Sequence, residues 1–112
     1  MALSDYLSPE RVLIYQGTDK GEMIELLVDS VCRECGDLDP VQVGREIEQR
    51  EEQLSSRLAP GIALPHMVLG EERRSVLAAG LSRDGIQWDP STEEKVHLVL
   101  LLVGGRSDHL PV

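Results

Sequence analysis

The sequence contains no phenylalanine, one tryptophan and two tyrosines, and it is short of basic residues. Eleven Lys and Arg stand against 20 Asp and Glu, which gives a formal charge of −9 over 112 residues. Proteins that bind nucleic acid or an anionic membrane surface need basic patches, so this balance argues against both kinds of partner. Without aromatic bulk, the core must be built from Leu, Val, Ile and Ala. The length suits one small domain, spanning residues 1–112.

Long apolar runs are also missing. The longest, Val96–Val103, is too short to cross a bilayer and contains His97, which we interpret as structural. The first residues lack the basic start and the apolar stretch of a signal peptide. We therefore expect a cytoplasmic protein with no membrane insertion.

Cysteine is limited to one pair, Cys32 and Cys35, at the end of a helical pattern. A zinc site normally takes four ligands, and the sequence offers no second CxxC or paired histidine nearby. We expect reduced thiols at a helix end in a cytosolic protein, no metal and no cofactor.

The rest of the chain alternates between strand and helix patterns. A helix is predicted to start at Thr18 or Asp19 and to stop at Gly36, and a second to start at Asp39–Pro40, where a first-turn proline costs no hydrogen bond. Strands or extended pieces are predicted at 12–15, 55–58, 62–64, 75–83, 86–88 and 96–103, with a turn at 84–85. The fold class predicted is α/β, with a mixed sheet of about five strands and helices on both faces.

The most informative segment is Gly61-Ile-Ala-Leu-Pro-His66. Pro65 fixes its own backbone and biases Leu64 toward an extended conformation, so His66 is expected at a defined place just beyond a strand. A single histidine is more often structural than catalytic, and this segment alone leaves both readings open.

The longer segment 50–66 resembles the active-site segment of enzyme IIA domains of the bacterial phosphoenolpyruvate–sugar phosphotransferase system, of the fructose, mannitol and nitrogen-regulatory type. The resemblance extends over essentially the whole chain. It is carried by identities at Arg50, Glu51, Ser55, Leu58, Gly61, Ile62, Ala63, Pro65 and His66.

The resemblance implies a phosphocarrier. His66 would accept a phosphoryl group from the phosphohistidine of the carrier HPr and pass it to an enzyme IIB, or use it as a regulatory signal. Arg50 and His109 would belong to the same site, and Ser56 is a candidate hydroxyl donor. The alternatives are that Arg50 binds helix-end carbonyls or Glu46 and that His109 is a surface histidine. We assign Glu51 to the charged end of the helix.

The sequence departs from the family pattern in three ways, and two of them, Met67 and the short C-terminus, favour an alternative: a non-phosphorylated regulatory module that binds a partner protein with the same fold. The intact Arg50, Pro65, His66 and His109 disfavour this alternative. Met67 follows the histidine where a small residue is usual and is expected to crowd the site. Arg57 and Pro60 replace residues that are commonly glycine and polar. The family usually continues for several tens of residues beyond the position of His109, so we expect an apolar sheet face that pairs with a second copy as a homodimer.

Overall fold

The sheet is organised around its last strand. The computed structural model describes residues 7–68 and 75–104, which form six strands and two helices. In chain order these are β1 (Leu7–Tyr15), α1 (Lys20–Glu34), α2 (Pro40–Gln53), β2 (Arg57–Ala59), β3 (Ile62–Ala63), β4 (His66–Val68), β5 (Val76–Gln87) and β6 (Lys95–Gly104). The spatial order is β1-β5-β6-β3-β2, and β4 also pairs with β6. Parallel and antiparallel pairs coexist, which confirms the predicted α/β class and mixed sheet.

Both helices begin where the sequence predicts. The Asp19 carboxylate accepts from the backbone N–H of Glu22 at 3.0 Å, and the Asp39 carboxylate accepts from that of Val41 at 3.1 Å, with Pro40 in the first turn of α2. Each cap satisfies a backbone donor that has no partner inside its helix.

The helices cover one face of the sheet. Met23 and Leu27 of α1 and Ile47 of α2 share a single buried cluster with alternate residues of the sheet. Val41 in the first turn of α2 and Leu54 at its C-terminal end are exposed. The expected helices on the second face are not among the residues that the structure describes.

The second face carries aliphatic rows. Strand register aligns Ile14, Leu81, Leu98 and Ile62 across four strands, and a neighbouring row aligns Val12, Ala79 and Leu100. Ile14 is 60% exposed, and Leu98 and Leu100 are half-buried. In β6, Val99, Leu101 and Val103 on the helix side are buried, whereas the leucines that alternate with them are only half-buried.

The predicted turn at Asp84–Gly85 is wrong. β5 runs through these residues as one strand, and its register with β6 shifts between Leu81 and Ile86. Gly85 adopts φ +84° inside this irregularity, a conformation that side chains disfavour, and its N–H donates to Ser82 Oγ at 3.2 Å. A glycine in a bulge gives the same sequence signal as a glycine in a turn.

We predict that Gly85→Ala lowers the free energy of unfolding by about 1–3 kcal/mol, because of strain at positive φ. A Cβ there would also stand 2.8 Å from atoms of Lys95 and His97. Denaturant unfolding measures the change. The control Gly44→Ala, in α2 with open space around it, should be neutral or stabilising. Equal stability of Gly85→Ala and the parent would contradict the strained bulge.

Candidate functional site

The hairpin before the histidine turns at Pro60–Gly61. Ala59 pairs with Ile62 across the turn, and Gly61 has φ +83°. Proline followed by a glycine at positive φ is the sequence that a type II turn requires, which explains Pro60 at this position. The carbonyl of Gly61 accepts from the N–H groups of both His97 and Leu98, at 2.8 and 3.0 Å, so the turn is bonded directly to β6.

His66 is the first residue of β4, a strand that the sequence reading missed. Its register pairs His66 with Leu102 and Met67 with Val103, and the carbonyl of the buried Pro65 accepts from the N–H of Leu102 at 3.0 Å. Alternation along the strand exposes His66 and buries Met67, which is 5% exposed within the core cluster. The expectation that Met67 crowds the site is therefore wrong, because its side chain belongs to the core.

The imidazole of His66 is oriented by its own main chain. Its Nδ1 lies 3.1 Å from the carbonyl oxygen of Leu64. A carbonyl oxygen only accepts, so this contact assigns the proton to Nδ1 and leaves the lone pair of Nε2 free. The ring thus presents Nε2 as the nucleophilic atom.

A cavity of about 260 Å³ brings together three of the four site residues expected from the sequence. His66, Arg50 and Ser56 line it, together with Ile47, Glu51, Gln53, Leu54 and Ser55. Arg50 is exposed near the C-terminal end of α2, and no carboxylate in residues 7–68 or 75–104, Glu46 included, forms an ion pair with it. His109 lies outside the described residues.

Ser56 is held from the core side. Its Oγ accepts from Trp88 Nε1 at 3.2 Å, which leaves the hydroxyl proton available to donate. The other departure, Arg57, donates to the Glu94 carboxylate at 2.8 Å. Arg57 therefore forms an ion pair on β2 and does not line the cavity.

Exposed aliphatic side chains border the imidazole. Leu54, which lines the cavity, is 81% exposed, and Val68, on the same face of β4 as His66, is 58% exposed. The rim of the cavity near His66 is therefore partly apolar.

Glu51 is the residue that sequence reasoning missed. Its side chain is only 6% exposed, and its carboxylate lies 3.0 Å from Lys20 Nζ and accepts from the N–H of Ser56 at 3.2 Å. The available signal was spacing: Glu51 follows Val43 and Ile47 at intervals of four, which places it on the buried stripe of α2.

Other candidate groups in the described part of the chain are structural. His97 Nδ1 contacts the carbonyl of Ser82 at 2.9 Å beside the bulge, as expected for a structural histidine. Burial raises the pKa of the Cys32 thiol, with the neighbouring Cys35 and then Asp29 adding to the effect, so Cys32 is a poor nucleophile. Within residues 7–68 and 75–104, no cluster of His, Cys, Asp and Glu is suited to a metal, and neither helix could span a membrane.

Comparison with known proteins finds matches in sequence and in fold. The sequence model of the family described as "Phosphoenolpyruvate-dependent sugar phosphotransferase system, EIIA 2" matches residues 5–112. A curated relative is the PTS system fructose-specific EIIABC component of Bacillus subtilis (strain 168), 28% identical over 115 residues. The match covers 98% of this chain and 18% of the relative, so the chain spans less than a fifth of that protein.

Several solved structures share the fold. The nitrogen regulatory protein IIA-Ntr from Neisseria meningitidis superposes with a TM-score of 0.81 at 20% identity, over 93% of this chain and 71% of its own. The IIA mannitol domain of Escherichia coli, in its complex with phosphorylated enzyme IIB mannitol, gives 0.74 at 16% identity, over 92% and 73%.

Proposed function

Because the chain belongs to the EIIA 2 family of the phosphoenolpyruvate-dependent sugar phosphotransferase system, we propose that it is a phosphocarrier in which His66 accepts a phosphoryl group from the phosphohistidine of an HPr-like protein. The group then passes to an enzyme IIB or serves as a signal to a regulatory target protein. The observation that carries this proposal is the contact between His66 Nδ1 and the Leu64 carbonyl, which frees Nε2 on an exposed ring.

Transfer at this site balances without a cofactor. The lone pair of Nε2 forms the new P–N bond while the P–N bond of the donor breaks, and its electron pair returns to the donor imidazole. The proton stays on Nδ1, which continues to donate to the Leu64 carbonyl. Such transfer depends on alignment and on neutralising charge on the phosphoryl oxygens, a role that we assign to Arg50, with Ser56 donating from its hydroxyl.

Partner binding belongs to the same proposal. The exposed Leu54 and Val68 supply an apolar contact beside His66. The related mannitol domain is known in complex with a phosphorylated enzyme IIB, which supports an enzyme IIB as one partner. Such an exchange between protein partners fits a cytoplasmic location, which stays a prediction. The alternative, a binding module that carries no phosphate, loses its main structural support because Met67 does not crowd the histidine.

We predict that His66 becomes phosphorylated when the protein is incubated with phosphoenolpyruvate, enzyme I and HPr. The adduct should be labile in acid and stable in base, and it should be lost in His66→Ala. The control His97→Ala removes another exposed histidine whose Nδ1 contacts a carbonyl, and it should label like the parent. If the parent labels no better than His66→Ala, the binding-module alternative takes over.

We predict that Arg50→Lys slows phosphorylation at least several-fold while the melting temperature changes little. Lysine keeps the charge but loses the planar fork that matches two phosphoryl oxygens, and an exposed side chain without an ion pair contributes little to stability. Quench-flow labelling and thermal unfolding measure the two effects. Arg45→Lys, at another exposed position of α2, is the matched control. An unchanged transfer rate would remove Arg50 from the site.

The aliphatic rows on the second sheet face support a homodimer. The rows that contain Ile14, Leu81, Leu98 and Val12 include no charged residue. Two copies at −9 each repel, so an uncharged patch is the favourable place for them to meet.

We predict a monomer–dimer equilibrium that shifts toward dimer as salt screens this repulsion. Sedimentation across a concentration range measures it. Ile14→Lys should give a monomer, whereas Val41→Lys, at an equally exposed position on α2, should behave as the parent. A parent protein that stays monomeric at high concentration and high salt excludes the dimer.

A further inference from the structure

Glu51 is a buried carboxylate within a site whose other charged groups are exposed. It lies on the inner side of α2 and lines both the His66 cavity and a larger, acidic cavity of about 570 Å³ bounded by Lys20, Asp89 and Pro90. Burying a charge is costly unless it is paired and hydrogen-bonded, and Glu51 meets both conditions through Lys20 Nζ at 3.0 Å and Ser56 N–H at 3.2 Å. Glu51 therefore ties the end of α2 to Ser56, just before β2.

Lys20 extends this connection to the core. Its Nζ donates to the backbone carbonyl of Trp88 at 3.0 Å and lies 4.7 Å from the centre of the Trp88 ring, which is 1% exposed. Trp88 in turn donates from Nε1 to Ser56 Oγ. Ser56 is thus held at two atoms: its N–H by Glu51 and its hydroxyl by Trp88.

From Ser56 the contacts continue to the reactive ring. The carbonyl of Ser56 accepts from the N–H of Leu64 at 2.9 Å, and the carbonyl of Leu64 accepts from His66 Nδ1. Four successive contacts therefore link Lys20 to the imidazole through Glu51, Ser56 and Leu64. A shift of Ser56 would move the Leu64 backbone, and with it the carbonyl oxygen that orients the His66 imidazole.

We propose that Glu51 and Lys20 are positioning residues for His66: their ion pair, whose carboxylate is buried, holds the Ser56 backbone, and through Leu64 it keeps the proton on Nδ1 and Nε2 free. The inference rests on the proposed phosphocarrier function only for its consequence on rate. Neither residue needs to touch the phosphoryl group. A misplacement of about 1 Å at a reacting atom is enough to cost a large factor in rate.

The first test is Glu51→Gln, which keeps an oxygen acceptor for Ser56 but removes the charge that attracts Lys20. Nitrogen-15 NMR of the unphosphorylated protein reports which ring nitrogen of His66 carries the proton. We expect the signals to move from the Nδ1–H pattern toward that of free histidine, whose neutral ring favours a proton on Nε2. Glu52→Gln, an exposed neighbour with the same change in charge, should leave the ring signals unchanged.

Transfer kinetics give the second measurement. Glu51→Gln should reduce the maximal rate of phosphorylation about tenfold or more, with the KM for the phosphorylated donor within about twofold, because the docking surface is untouched. Lys20→Met removes the other charge of the pair and should also lower the rate. Lys20→Arg keeps that charge, so it should retain most of the parent's rate and its Nδ1–H signature.

The two proposals fail in different ways. A parent that never labels refutes the phosphocarrier function, while the NMR measurement still tests the positioning of the ring. Wild-type ring signals in both Glu51→Gln and Lys20→Met refute the positioning role, even if those variants are less stable. If Glu51→Gln does not fold, as judged by circular dichroism, the comparison of Lys20→Met with Lys20→Arg decides alone.

Discussion

The backbone pairing of β6 is the constraint on which the site depends. This strand holds β5 along one edge and both β3 and β4 along the other. The two strands on either side of Leu64 and Pro65, Ile62–Ala63 and His66–Val68, are each too short to be stable as independent strands. Their positions are set by carbonyls on either side, those of Gly61 and Pro65, that accept from β6. His66 is therefore placed by main-chain hydrogen bonds at the edge of an otherwise extensive sheet.

The carboxylates of this acidic protein have two different roles. Most carboxylates lie at the surface, where they keep the chain hydrated and contribute little to stability. Glu51 is different, since it is buried and bound to a lysine and to a backbone N–H. Ion pairs of this kind often add no more stability than an apolar replacement of equal volume. What the pair does here is fix the position of the groups that it binds, above all the Ser56 N–H.

The sequence predicted correctly those features whose structure depends only on residues close together in the chain. Asp19, Asp39 and Pro40 mark helix starts because a cap involves residues two or three positions apart. The segment that ends at His66, with Arg50 and Ser56, was recognisable because its residues are close in sequence. Gly85 and β4 were misread, because their conformations depend on pairing with β6, which is distant in the chain. Glu51 was misjudged for the same reason: its partner Lys20 lies 31 positions earlier, in another helix.

The acceptor that orients the imidazole is a main-chain atom, and this has a consequence for how the site tolerates sequence change. Every amino acid supplies the same carbonyl, so replacing the side chain of Leu64 by another aliphatic one leaves the proton on Nδ1 where it is. A point mutation of Leu64 therefore does not remove the carbonyl oxygen that decides which ring nitrogen carries the proton. The proton position remains sensitive to any change that moves the Leu64 backbone, which is held between Ser56 and Pro65. The path of the backbone therefore matters more for this site than the identity of any one neighbouring side chain.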